Sequence, residues 1–174
     1  MKDMDIIIAL RNKLETPVGR HLYGILGTYD ALAKFEQTLK DVKTSEGLPF
    51  PAPVSVNRGI INAFSDDEFR SIVKDEARRP ESTSASVKKV FQQFLRKNFT
   101  KKNILILKDL EILFPYNIDL NPLRTMATDE DRLLLLLPGG RSGERIVMYP
   151  NNPKGEYKIP KSLIAENHLW EITY

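Results

Sequence analysis

Residues 102–149 read KNILILKDLEILFPYNIDLNPLRTMATDEDRLLLLLPGGRSGERIVMY, and two apolar runs inside this stretch decide the fold. Ile104 to Leu107 and Leu133 to Leu137 show no apolar–polar alternation. A strand with one wet face alternates, whereas a strand covered on both faces does not. The first run predicts a strand over 103–107 and the second a strand over 132–137. Between them, LNPLRTMA around 120–127 predicts a short helix. Strand, helix, strand is a parallel crossover unit, so the sheet has helices on both faces. Residues 145–149 predict one more strand after the glycine-rich turn Pro138 to Gly143. So short a connection makes it antiparallel, at one edge.

Working outward, 20–27 (RHLYGILG) reads as a short buried strand ending in glycine. The helix after it has Thr28 or Asp30 as its cap, and Leu32, Phe35, Leu39 and Val42 recur at helical spacing. Ile6, Ile7, Leu10 and Leu14 mark a first helix over 4–15, and 53–57 is a second strand candidate. Ser65-Asp-Asp-Glu68 is a capping box that opens a charged helix ending before Pro80. Residues 81–86 (ESTSAS) are small and polar and read as an exposed loop, with a helix from Val87 onward. A tail with Tyr157 and Ile159 leads to a terminal strand over 168–173. The expectation is a three-layer α/β fold with a mostly parallel sheet and an antiparallel edge strand. It forms one domain over 1–174, with a helix at 1–16 ahead of a core at 20–174.

The totals agree. A chain of 174 residues with 41% hydrophobic and 28% charged residues can bury a real core. It has no cysteine, which excludes disulfides, thiolate metal sites and thiol nucleophiles, and suits a reducing cytoplasm. Its two histidines, His21 and His168, are far apart in sequence and have no suggestive neighbours. The first residues resemble neither a signal peptide nor a membrane span. A net charge of +3 does not by itself argue for nucleic acid.

Ligands of open α/β sheets bind at the carboxyl ends of the strands. A phosphate loop there needs glycines, a lysine and a Ser/Thr for magnesium. Gly24 to Lys34 lacks that set, and Lys34 stands two helical turns too late. After the 103–107 strand, Asp109 could hold a metal and Glu111 could act as a base. Equally, Asp109 caps a turn and Glu111 is solvated. Gly139, Gly140 and Arg141 could form an anion-binding nest or a plain connection. Arg124 and Arg132 lie where sensor arginines fall in ATPases, or make ordinary ion pairs.

Phe114 and Tyr116 are candidates for partner contact or for core packing, as is the Arg141 to Glu144 turn for contact. Lys88, Lys89, Arg96 and Lys97, with Lys101, Lys102 and interleaved Phe94 and Phe99, form a possible basic patch for nucleic acid. Their helical spacing brings them only partly together, which also suits a solvated face. The residues imply no catalytic, cofactor-binding or metal-holding set.

With these motifs in view, residues 102–149 resemble the small P-loop-related proteins of bacteriophage-exclusion (BREX) defence systems. The shared pattern is an apolar strand leading to Leu-Phe or Tyr-Pro, a short helix, and an apolar strand closing on Pro-Gly before an edge strand. The chain resembles the BrxB-like branch more than the BrxF-like branch, which keeps a phosphate-loop signature that Gly27 to Lys34 lacks. The resemblance implies a degenerate P-loop NTPase-like core without cofactor. It also implies a non-catalytic cytoplasmic adaptor whose partner is a large alkaline-phosphatase-superfamily protein of the PglZ type. The alternative is a subunit of the same kind of system that binds nucleotide or DNA through a degenerate site.

Overall fold

The computed structural model describes residues 1–99, 104–149 and 157–173. Five parallel strands form the main sheet in the order β2-β3-β4-β1-β7. They are β1 (Leu22–Gly27), β2 (Val54–Ser55), β3 (Ile104–Lys108), β4 (Arg132–Ser142) and β7 (Leu169–Glu171). In β1 and β4 the register runs unbroken from Leu22 opposite Leu133 to Gly27 opposite Pro138. Gly24 lets β7 and its approach pack closely, because a Cβ there would sit 2.6 Å from Ile164 Cδ1 and 2.8 Å from Leu169 Cδ1.

Two cores explain the uninterrupted leucines. Leu133, Leu135 and Leu137 point to one face of the sheet, with Leu105, Leu107, Leu22 and Leu26. Leu134 and Leu136 point to the other, with Ile104, Ile106, Tyr23 and Ile25. The second face is covered by α1 (Asp3–Leu14) and α2 (Tyr29–Lys40). The first is covered by α3 (Val56–Ile61), α5 (Pro80–Asn98) and α6 (Asn121–Met126), and by the chain leading to β7. The three-layer α/β architecture follows from this alternation.

Local chemistry sets the helix starts. The Thr28 hydroxyl accepts from the Ala31 amide at 3.2 Å and caps α2. Ser65 and Glu68 close the capping box of α4 (Asp66–Asp75): the Glu68 carboxylate accepts from the Ser65 amide at 2.8 Å.

Three expectations are corrected. Residues 81–86 are helical, inside α5, because Pro80 starts the helix and Thr83 is buried. The Ser84 hydroxyl also donates to the Tyr116 carbonyl at 2.7 Å, which ties this first part of the helix down. Pro138 to Ser142 is no turn but the second half of β4, paired antiparallel with β5 (Arg145–Met148). Its glycines are needed for close approach: a Cβ on Gly139 would lie 2.3 Å from the Val147 carbonyl oxygen. The second strand is only two residues long, since Ser55 caps α3 at once, accepting from the Arg58 amide.

The antiparallel strand is present as expected. With β6 (Tyr157–Pro160), β5 extends the overhang of β4 as a small three-stranded wing.

Candidate functional site

The carboxyl ends of β1 and β3 meet where open sheets hold their ligands. This chain fills the place with its own side chains. β3 ends at Asp109, whose φ of 54° puts it in the left-handed region, where Asp is among the tolerated residues. That turn aims the Asp109 carbonyl at the Asn57 amide, 2.9 Å away at the start of α3. Asn57 then bridges the loop: its Nδ2 donates to Glu111 Oε2 at 2.6 Å, and its Oδ1 accepts from the Ile112 amide at 2.9 Å. From the β1 side, the Tyr29 hydroxyl donates to Glu111 Oε1 at 3.0 Å. Both carboxylate oxygens of Glu111 are therefore engaged.

Aromatic rings pack beside this hydrogen-bonded group, with Tyr29 itself still 57% exposed. Tyr149, 6% exposed and also left-handed at φ 50°, stacks on Tyr29 with ring centres 6.1 Å apart. Phe114 meets Tyr149 edge-on at 5.8 Å and stacks on Tyr157 at 5.3 Å. Packed rings at these separations attract beyond their buried area. Burial, then the Glu111 carboxylate, pushes the Tyr29 hydroxyl up to about 12. Burial pushes Tyr149 further in the same direction, helped by the same carboxylate. Both tyrosines stay neutral at physiological pH.

The remaining candidates are dispersed. Glu111 joins the crevice network, and Asp109 shapes it through its backbone. Phe114 is half-buried in the aromatic cluster. Tyr116 donates its hydroxyl to Glu76 at 2.6 Å and is pushed up to about 12 by burial and that bond. Gly139, Gly140 and Arg141 lie in the β4–β5 ladder. The Arg141 guanidinium donates to Glu166 and to the Leu169 carbonyl, bracing β7. Arg124 is exposed on α6. Arg132 stands at the amino end of β4, across the sheet from the crevice.

Lys88, Lys89, Arg96 and Lys97 all fall on the solvent face of α5. Phe94, interleaved with them in sequence, is buried in the core. Phe99 packs half-buried against the same core, and Lys101 and Lys102 lie outside the described residues.

Two features carry no signal in the sequence. Asn57, a lone amide in an unremarkable stretch, organises the crevice only because the fold brings it to Glu111. The two histidines, remote in sequence, converge on Tyr23 at the amino end of the sheet. His21 Nδ1 lies 2.7 Å from the Tyr23 hydroxyl, and the His168 ring centre is 4.8 Å from that of Tyr23. Burial lowers both histidines, with Arg132 adding to the effect on His21 and Lys13 to that on His168.

Among the described residues, no group of three or more His, Asp or Glu is placed to hold a metal ion. No described helix is long and apolar enough to cross a membrane. Comparison with family models, with curated proteins and with solved structures found no match for this chain.

Proposed function

We propose that this chain is a non-catalytic adaptor of a bacterial anti-phage complex of the BREX type, acting in the cytoplasm on a large partner of the PglZ type. The observation that carries this reading is that the polar groups at the strand ends are bonded to one another. Glu111 spends both oxygens on Tyr29 and Asn57, and the rings of Tyr29 and Tyr149 stack over the ends of the strands. On this reading the frame, with these groups already engaged, does its work through other surfaces. The resemblance of residues 102–149 to the BrxB-like proteins supplies the biological setting.

The surface features favour protein contact. α4 buries none of its residues, and Phe69 and Val73, one turn apart on it, are 45% and 56% exposed. Ile61 on α3 is exposed as well. Apolar side chains of this size gain most from being covered by a partner.

The test is co-expression with the PglZ-type protein of the same locus, followed by affinity capture, with calorimetry of Mg-ATP on the purified chain. The expected outcome is stoichiometric capture that Phe69→Ser with Val73→Ser abolishes, and no heat of ATP binding. ATP binding tighter than about 1 mM, weakened by Glu111→Ala and accompanied by no capture, would overturn the proposal.

A further inference from the structure

On the other side of the β3 end, a groove of about 840 Å³ runs between α3 and α5 along the β2 edge of the sheet. Its floor is apolar, with Val54, Ala63, Val90 and Phe94. Its rim is rich in donors: Arg58 on α3 and Asn62 just past its end face Gln93, Lys97 and Asn98 from α5. Lys108 is matched by Glu36 at 2.8 Å, and Asp109 is the one acid in the lining. Arg58 and Lys97 have no ion-pair partner among the described residues.

The rim continues into an ordered array on α5. Lys88, Gln92 and Arg96 form one row at four-residue spacing, and Lys89, Gln93 and Lys97 form a second beside it. All six are exposed. From Ser82 to Asn98 the helix carries no acidic residue. Four-residue steps place successive side chains about 6 Å apart along the axis. Glu68 on α4 is the nearby acid, and its carboxyl is held low first by the Ser65 amide and hydroxyl, with Lys89 contributing less. The cations are therefore mostly uncompensated, and they are strung along a line rather than gathered at a point.

From this arrangement we infer that the α3–α5 groove binds the phosphate backbone of a single nucleic-acid strand, with Arg58 and Lys97 as its principal contacts. A line of cations separated by amide donors matches a chain of phosphates better than one isolated anion. The groove is too small to admit a duplex. Phe94, the aromatic residue in the lining, is 8% exposed and offers no face for base stacking. Binding therefore rests on phosphate contacts, is indifferent to base sequence, and weakens steeply with salt.

The experiment is fluorescence anisotropy with a labelled mixed-sequence 20-nucleotide DNA strand, titrated with the whole chain at several salt concentrations. The wild type is expected to bind at low salt, with log Kd linear in log salt. Arg58→Glu with Lys97→Glu is expected to weaken binding at least tenfold. It should also reduce the salt slope by about 1.4, at about 0.7 per strand phosphate lost. Lys40→Glu, on α2 across the sheet, is expected to change affinity less than twofold.

Competition separates the possible sources of the anion. Unlabelled oligonucleotide should displace the label, whereas ATP and inorganic phosphate at equal phosphate concentration should not. Polyglutamate displacing the label as well as oligonucleotide does would overturn the inference and make the groove a site for an acidic protein segment. Absence of binding at low salt would overturn it too, as would equal losses in the double variant and in Lys40→Glu. Thermal melts of both variants matching the wild type establish that each is folded, since the substituted residues are exposed.

Discussion

The crevice above β1 and the groove beside β2 flank the same strand end, yet they are opposites in chemistry. In the crevice, Glu111, Asn57 and Tyr29 bond to one another, and the Tyr29 ring stacks on Tyr149 while staying 57% exposed. In the groove, Arg58 and Lys97 face water without an ion-pair partner among the described residues, although Asp109 shares the lining. Position at the carboxyl edge of a sheet is therefore not enough to make a binding site. What decides is whether the polar groups gathered there already have partners, because satisfied groups must first lose a bond before a ligand can gain one.

The contrast breaks most readily at Tyr149. Tyr149→Ala removes a buried ring from the cluster with Tyr29, Phe114 and Tyr157, and is expected to destabilise the chain by about 3 kcal/mol. Urea denaturation reads this as a lower midpoint at unchanged slope. A loss under about 1 kcal/mol would mean that the ring cluster does not brace the strand ends.

Two glycines sharpen the comparison. A Cβ on Gly139 meets the Val147 carbonyl, part of a backbone ladder that cannot step aside, so Gly139→Ala should cost about 2 to 3 kcal/mol. On Gly59, in the groove wall, it meets the Phe94 ring at 2.2 Å. The ring has to shift, but alanine improves the helix by up to about 1 kcal/mol, so Gly59→Ala should cost about 1 kcal/mol net. Equal losses at the two sites would show that the groove wall is as unyielding as the wing.

The smallest change is Glu111→Ala, which removes the acceptor of Tyr29 and Asn57, with Tyr29 still open to water, and should cost about 0.5 to 1 kcal/mol. It also has a pH signature. Tyr29 ionises near 10 when unfolded and is raised to about 12 in the fold. The neutral hydroxyl thus contributes stability that is fully present below pH 10 and is lost as the pH rises toward 12. Thermal melts from pH 9 to 12 should fall less steeply in Tyr29→Phe than in wild type. Superimposable curves would show that the Tyr29 hydroxyl is not raised in the fold.

Much of the frame was legible because it depends on periodicity. Leu133 to Leu137 could only be a strand covered on both faces, and the Ser65–Glu68 capping box appears where its spacing puts it. The misreadings share a cause. Pro138 to Ser142 has turn composition, but its glycines serve close strand contact with β5. Residues 81–86 have loop composition, but Pro80 opens a helix through them and Thr83 packs inside it. Local composition reports what a backbone tolerates, and packing selects among the tolerated conformations.

The candidate sites divide along the same line. Asp109, Glu111 and the basic run were visible as residue types. Their circumstances were not, because Tyr29, Asn57 and Glu111 come from three different connections of the sheet.

By itself, then, the sequence determined the α/β class, the burial of the central strands on both faces, and the lack of a phosphate-loop signature. Each of these is written in short-range pattern: apolar runs, helical spacing, capping residues and motif letters. Only the tertiary structure decided that the polar groups of the crevice bond to one another while Arg58 and Lys97 of the groove stay without an ion-pair partner among the described residues. That outcome depends on which side chains from distant segments reach one another, and hydrogen bonds between residues 82 and 54 positions apart leave no trace in local spacing.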